Sequence, residues 1–178
     1  MTNISKGADS GTLWEFAVQL YGQDGVRDAC LDLQDRCGLD VDLLLFAVWC
    51  AVAGPGQLDV VAFRDCIVLT APWQDQVVRP LRAIRRSSAG AFAAIPEASS
   101  QAVARQLQAA ELAAERVELE LLENWAAGRD AAGPAAEPNA AAASNLVAYV
   151  AAAGVETATA AAAMRALLAG ARSLSKRA

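Results

Sequence analysis

The chain has 178 residues, 55% of them hydrophobic but only 6% aromatic, with a formal net charge of −5. That length suffices for one domain with its own core, and a hydrophobic share rich in alanine, the best helix former, predicts an all-α fold. The negative balance excludes a general attraction to nucleic acid or anionic lipid, and the absence of histidine removes the most frequent general base and metal ligand.

The first 11 residues are polar, carry no apolar run of the signal-peptide kind, and are expected to be disordered. The first helix is predicted over about 12–21, with Ser10 or Thr12 as N-cap and Gly22 as its stop; Leu13, Phe16, Ala17 and Leu20 form its inward stripe. A Gly22–Gly25 turn leads to a second helix over about 26–36, ended by Gly38, with Val26, Ala29, Cys30, Leu33 and Cys37 at helical spacing. Asp40 is placed to cap a third helix. Its run Leu43–Ala53 (LLLFAVWCAVA) has no polar face, so it should be buried on all sides, and it is about half the roughly 20 residues that span a bilayer.

Gly54-Pro55-Gly56 breaks the chain before a fourth helix, capped by Asp59 and running to about Leu69 with Val60, Phe63, Cys66 and Ile67 facing in. A separate fifth helix is expected from Pro72 to Arg86, kinked at Pro80. After a loose segment at 87–95, Pro96 opens the longest helix, to about Ala127. Val103, Leu107, Ala110, Ala114, Val117 and Leu121, broadened by Leu112, Leu119 and Leu122, form its apparent seam. Residues 128–138 have a linker's composition. Beyond them an alanine-rich hairpin, about 139–153 and 156–170 with stops at Gly154 and Gly170, carries few large side chains and is expected to dock weakly. Residues 173–178 should fray. The expected architecture is thus a compact bundle of about six core helices over 12–127, including one long helix, followed by linker and hairpin (139–172).

Several strings in this order resemble a family of uncharacterised conserved hypothetical proteins from proteobacteria: LWEFAVQLY (Leu13–Tyr21), ACLDLQD (Ala29–Asp35), GLDVDLLLF (Gly38–Phe46), VVRPLRAIRR (Val77–Arg86) and AELAAER (Ala110–Arg116). The likeness spans roughly 12–125 and implies no activity and no site residues. The chain departs from the pattern at Asp24, in place of proline, and at Asp42, in place of asparagine; each adds negative charge at a helix start, where it is tolerated.

No phosphate-binding glycine loop, nucleophile elbow or paired C-x-x-C motif is present, so no cofactor and no metal site is indicated. Cys30, Cys37, Cys50 and Cys66 sit in apolar helical patterns and read as reduced core residues of a cytoplasmic protein. The sharpest feature is Arg79, Arg82, Arg85 and Arg86 on one helix, a face that could grip phosphate or an acidic partner. The simpler reading pairs them with the protein's own carboxylates, notably on the Glu111–Glu123 helix. Asp28, Asp32, Asp35, Asp40 and Asp42 form an acidic cluster that could hold a hard cation such as magnesium, even for an enzyme, if two or more oxygens converged. The simpler reading makes the first three a solvated face and the other two helix-start charges, and Gln34 reads as a polar tie between helices. Trp14, Trp49, Trp73 and Trp125 are assigned to core packing. These features favour a non-enzymatic interaction protein, with no membrane role, that binds a protein partner or a second copy through the long helix and the arginine face. The alternative is an anionic ligand, nucleotide or nucleic acid held by those arginines.

Overall fold

The structure, a computed structural model, describes residues 11–89, 94–129 and 133–176. Among them the chain is helical throughout, without strands: α1 (Leu13–Tyr21), α2 (Val26–Cys37), α3 (Val41–Val52), α4 (Val60–Trp73), a π-helical turn (Gln74–Val78), α5 (Arg79–Ser88), α6 (Glu97–Ala127), α7 (Pro138–Ala152) and α8 (Thr157–Ser175). The all-α expectation holds. The expected disorder of 1–11 falls almost wholly outside the described residues, as do 90–93 of the loose segment, 130–132 of the linker and the last two residues of the expected frayed end.

Side-chain caps set three of the helix starts. Thr12 Oγ1 accepts from the Glu15 amide and the Glu15 carboxylate accepts from the Thr12 amide, a reciprocal box that satisfies two end donors of α1. Asp40 and Asp59 do the same for α3 and α4, accepting from the amides of Asp42 and Ala62. Gly38, at φ 67°, closes α2 in the left-handed conformation that a side chain would resist.

The LLLFAVWCAVA helix is the centre of the bundle. Residues 42–51 of α3 are all buried, and α1, α2, α6 and α7 pack around it. Phe46 stacks on Trp49 at 5.9 Å and meets Phe63 of α4 and Trp125 of α6 edge-on at 6.4 and 6.1 Å; Phe63 in turn packs on Tyr149 of α7 at 5.8 Å. Four helices thus converge on one aromatic cluster, whose off-parallel ring contacts suit the ring quadrupoles.

Three expectations need correction. The fourth and fifth helices are one continuous rod rather than two: the backbone passes Pro72 without a break and widens into the π turn, where the Arg79 amide bonds back to the Gln74 carbonyl. A π turn carries one extra residue per loop of helix; Gln74 and Val78, at its two ends, both lie on the buried side, where Gln74 continues the α4 stripe of Phe63, Cys66 and Thr70. Next, α8 is not stopped at Gly170 but continues to Ser175, so 173–175 are helical. A Cβ on Gly170 would lie 2.3 Å from Val26 Cγ2, so this glycine sets how closely α8 approaches α2. The left-handed turn residue between α7 and α8 is Gly154, at φ 75°.

Finally, the alanine-rich hairpin does not dock weakly. Ala141, Ala142, Leu146, Tyr149 and Val150 of α7 are buried in the same core as α3. Small side chains let the two backbones come close, so contact is made without many large residues. Asn145, fully buried, donates to the carbonyls of Ala47 and Gly56 at 3.0 Å each and accepts from the Leu58 amide at 2.8 Å. The linker is tied down as well: the Ala135 amide donates to the Ala51 carbonyl.

Replacing Asn145 with alanine would strand those backbone groups away from water, so Asn145→Ala is expected to lower the unfolding free energy by about 3 kcal/mol. Urea titration of Asn145→Ala beside the exposed control Ser144→Ala measures it; a loss below about 1 kcal/mol would mean that the clamp is not needed. Gly170→Ala is expected to destabilise the fold despite alanine's better helix propensity, by about 1–2 kcal/mol, because the added methyl overpacks against Val26. A higher melting temperature for that variant would contradict the close-approach reading.

Candidate functional site: two linked polar clusters

The α6 seam is turned from its expected direction. Val103, Leu112 and Val117 are about half exposed, whereas Glu111 and Glu118 are buried together with Ala114, Leu119 and Leu122. Carboxylates occupy inward positions because each meets a polar partner from the α4–α5 rod, a constraint that apolar spacing cannot reveal.

The first cluster is the arginine face. Arg82 Nε donates to Glu111 Oε1 at 2.7 Å and its Nη2 to Glu115 Oε1 at 2.8 Å, while Arg85 Nε donates to Glu111 Oε2 at 2.5 Å. Arg79 pairs with Asp75 on its own rod, and Arg86 reaches Asp35 of α2 at 3.0 Å. The four arginines are therefore not one open face: Arg82 and Arg85 are largely covered against α6, and Arg79 and Arg86 lie outside at the surface. Burial alone would raise the Glu111 carboxyl, but the guanidiniums of Arg85 and Arg82 more than reverse this and hold it below its ordinary value. The Glu115 carboxyl, with Arg82 alone, stays above its ordinary value because of burial.

The second cluster lies at the start of α3. Asp28 and Asp35 are exposed as expected, but Asp42 is buried, not a solvated helix-start charge. Oxygens of Asp40, Asp42 and Glu118 lie within 4.8 Å of one another. Gln74, at the end of the α4 buried stripe, donates from Nε2 to Glu118 Oε2 at 2.7 Å. Tyr149 closes the top: its hydroxyl accepts from the Asp40 amide at 2.8 Å and lies 3.4 Å from the Asp40 carbonyl. Glu118 Oε1 and Asp42 Oδ2 are buried with no hydrogen-bond partner.

Charge crowding shows in the acidities. Burial, then the neighbouring Asp40, pushes the Glu118 carboxyl up to about 9. Burial, then Asp40 and Glu118, raises Asp42 well above the ordinary carboxylate range. Burial also pushes the Cys30 thiol up to about 12, with Asp42 adding to the effect. The thiols of Cys50 and Cys66 are raised by burial too, so these cysteines are protonated packing residues near neutral pH. The acidic trio is an oxygen-only donor set of the kind that holds either protons or a hard cation.

Of the acidic cluster weighed for a hard cation, Asp40 and Asp42 do converge, but with Glu118 and Gln74, which their sequence positions did not mark. Gln34, the expected polar tie, is only half-buried, and its side chain makes no hydrogen bond among the described residues; Gln74 fills that role. Of the tryptophans, Trp73 bonds the Ala114 carbonyl at 2.9 Å and Trp14 lies under the Arg116 guanidinium. Two surface concavities, of about 320 and 460 Å³, flank the start of α4 around Gln57–Asp59 and share no residue with either cluster.

Arg82→Ala leaves Glu111 and Glu115 short of a counterion in a covered position and is expected to cost about 3 kcal/mol, whereas Arg79→Ala and Arg86→Ala should change stability little. Because Glu111 is more acidic when folded than when unfolded, its contribution is present above the unfolded carboxylate range and is lost as pH falls through the folded value. The α5–α6 contact should therefore loosen in acid, which Trp73 fluorescence reports. An acid transition unchanged by Glu111→Gln would dispose of that assignment.

No curated protein and no solved structure matches the chain. A family model does, over residues 12–122, which hold every member of the two clusters except Tyr149. The chain belongs to that family, described as "Protein of unknown function (DUF2390)".

Proposed function

We propose that this is a non-enzymatic helical interaction module of the bacterial cytoplasm, which binds a protein partner, in the first instance a second copy of itself, along the arm formed by α5 and the first half of α6. One observation carries the reading: the arm has almost no apolar interior. No residue of α5 is buried, and between Arg79 and Ala110 only Ser100 among the described residues is. Its two helices are held together chiefly by the Arg82 and Arg85 pairs with Glu111 and Glu115.

Large apolar side chains remain open along it. Ile84 is 52% exposed, Ile95 49%, Val103 50% and Leu112 51%. Long helices that keep their apolar residues outward are unusual unless something covers them. No helix among the described residues is long and apolar enough to cross a membrane, so a protein surface suits these residues better than a bilayer. The alternative, an anion held by Arg79, Arg82, Arg85 and Arg86, finds less support: an incoming phosphate would have to displace Glu111 and Glu115 from the two covered arginines.

Sedimentation over a range of concentrations, joined to cross-linking in native lysate, tests the proposal. The expected result is association, with itself or with a captured protein, that Ile84→Asp combined with Val103→Asp abolishes while the melting temperature stays within a few degrees. A chain that remains monomeric and captures nothing would refute it. Salt-sensitive binding of nucleotide or nucleic acid, lost in Arg79→Ala with Arg86→Ala, would favour the alternative.

A further inference from the structure

We propose that Asp40, Asp42 and Glu118 form a binding site for a hard divalent cation of the magnesium or manganese type, seated between the start of α3 and the middle of α6. This goes beyond the interaction role and does not depend on it.

Acidic groups are common at protein surfaces and mean little there. These are not at the surface: Glu118 is fully buried and Asp42 is 5% exposed. Each keeps one buried oxygen without a partner, Glu118 Oε1 and Asp42 Oδ2. Buried carboxylate oxygens left unpaired are costly, and in native proteins they call for a bound species or a proton. A proton shared between Asp40 and Glu118, whose carboxyls are within hydrogen-bonding reach, would serve that pair in the absence of an ion, and an entering cation would take its place.

Among the described residues no cationic side chain pairs with the trio. The arginine nearest in charge is Arg82, and its nitrogens are taken by Glu111 at 2.7 Å and Glu115 at 2.8 Å. The donor geometry is also suitable. Ligand oxygens around an octahedral magnesium at about 2.1 Å stand roughly 3–4.2 Å apart, and the trio's oxygens lie within 4.8 Å of one another. Gln74 holds Glu118 Oε2 and so fixes the orientation of the free Oε1, while the Asp42 amide holds Asp40 Oδ1. Orientation of ligands by a second layer of hydrogen bonds is what metal sites in proteins commonly show. Three carboxylates leave places for water, which suits magnesium and manganese better than calcium, and the absence of sulfur and imidazole argues against zinc. Asp40 is only half-buried, so it marks the side from which an ion enters.

The test uses the full chain stripped with a chelator and titrated with Mn²⁺, then with Mg²⁺. Mn²⁺ at about 100 times its Kd should raise the melting temperature by roughly 5–10 °C, and equilibrium dialysis should find one tightly held ion per chain. Asp42→Asn combined with Glu118→Gln keeps the shape and removes the charge. That variant should melt at or above the temperature of the metal-free parent and show no response to Mn²⁺. Glu118→Gln alone should weaken binding at least tenfold. A folded parent that neither shifts nor retains Mn²⁺ would overturn the site, and so would an equal shift in the double variant, which would place the ion on surface acids instead.

Discussion

A helix with no polar face can be kept from water only by other helices on every side, and α3 imposes that demand on the rest of the chain. Burying residues 42–51 removes a large apolar area from solvent, at about 25 cal/mol per Å², and no single amphipathic neighbour could cover it. The surrounding stripes of α1, α2, α6 and α7 are answers to that demand. The Phe46 cluster is where α4, α6 and α7 meet α3. The same enclosure creates the polar problem at the start of α3. Asp40 and Asp42 enter the interior with the first turn of the helix, and Glu118, Gln74 and Tyr149 are drawn in around them.

The molecule is therefore held in two different ways. Around α3 the contacts are apolar and closely packed. Along the α5–α6 arm they are guanidinium–carboxylate pairs between partly covered side chains. Paired charges of this kind give direction and register more than net stability, since desolvation consumes much of the attraction. An arm built so keeps its shape while leaving its apolar side chains available, which a conventional packed hairpin would not do.

Much of this was legible in the residues. The unbroken apolar run from Leu43 to Ala53 has only one good environment, and the caps Thr12, Asp40 and Asp59 sit where a short acceptor before a helix belongs. The inward stripes of α1 and α2 followed directly from spacing, and Glu111 was a foreseeable partner for the arginines. What escaped has physical causes. The phase of α6 is set by Glu111 and Glu118 meeting Arg82, Arg85 and Gln74, and apolar periodicity reads a carboxylate as an outward residue. Gln74 continues the buried stripe of α4 after Phe63, Cys66 and Thr70, but a glutamine reads as an outward residue until its partner Glu118 is in view. Gly170 looks like a terminator in one dimension; only the approach of Val26 shows it to be a contact. The tight docking of α7 rests on alanines, which count for little in any sum of hydrophobic bulk, and on Asn145, whose three backbone partners lie 87 to 98 residues away.

The position of α7 also matters for how the protein is made. The helix that covers α3 and whose Tyr149 hydroxyl receives the Asp40 amide is encoded roughly a hundred residues after the strip it shields. During synthesis the most apolar segment leaves the ribosome long before its lid exists. Until α7 follows, the nascent polypeptide carries a sticky, half-finished interior, the kind of surface on which chaperones act.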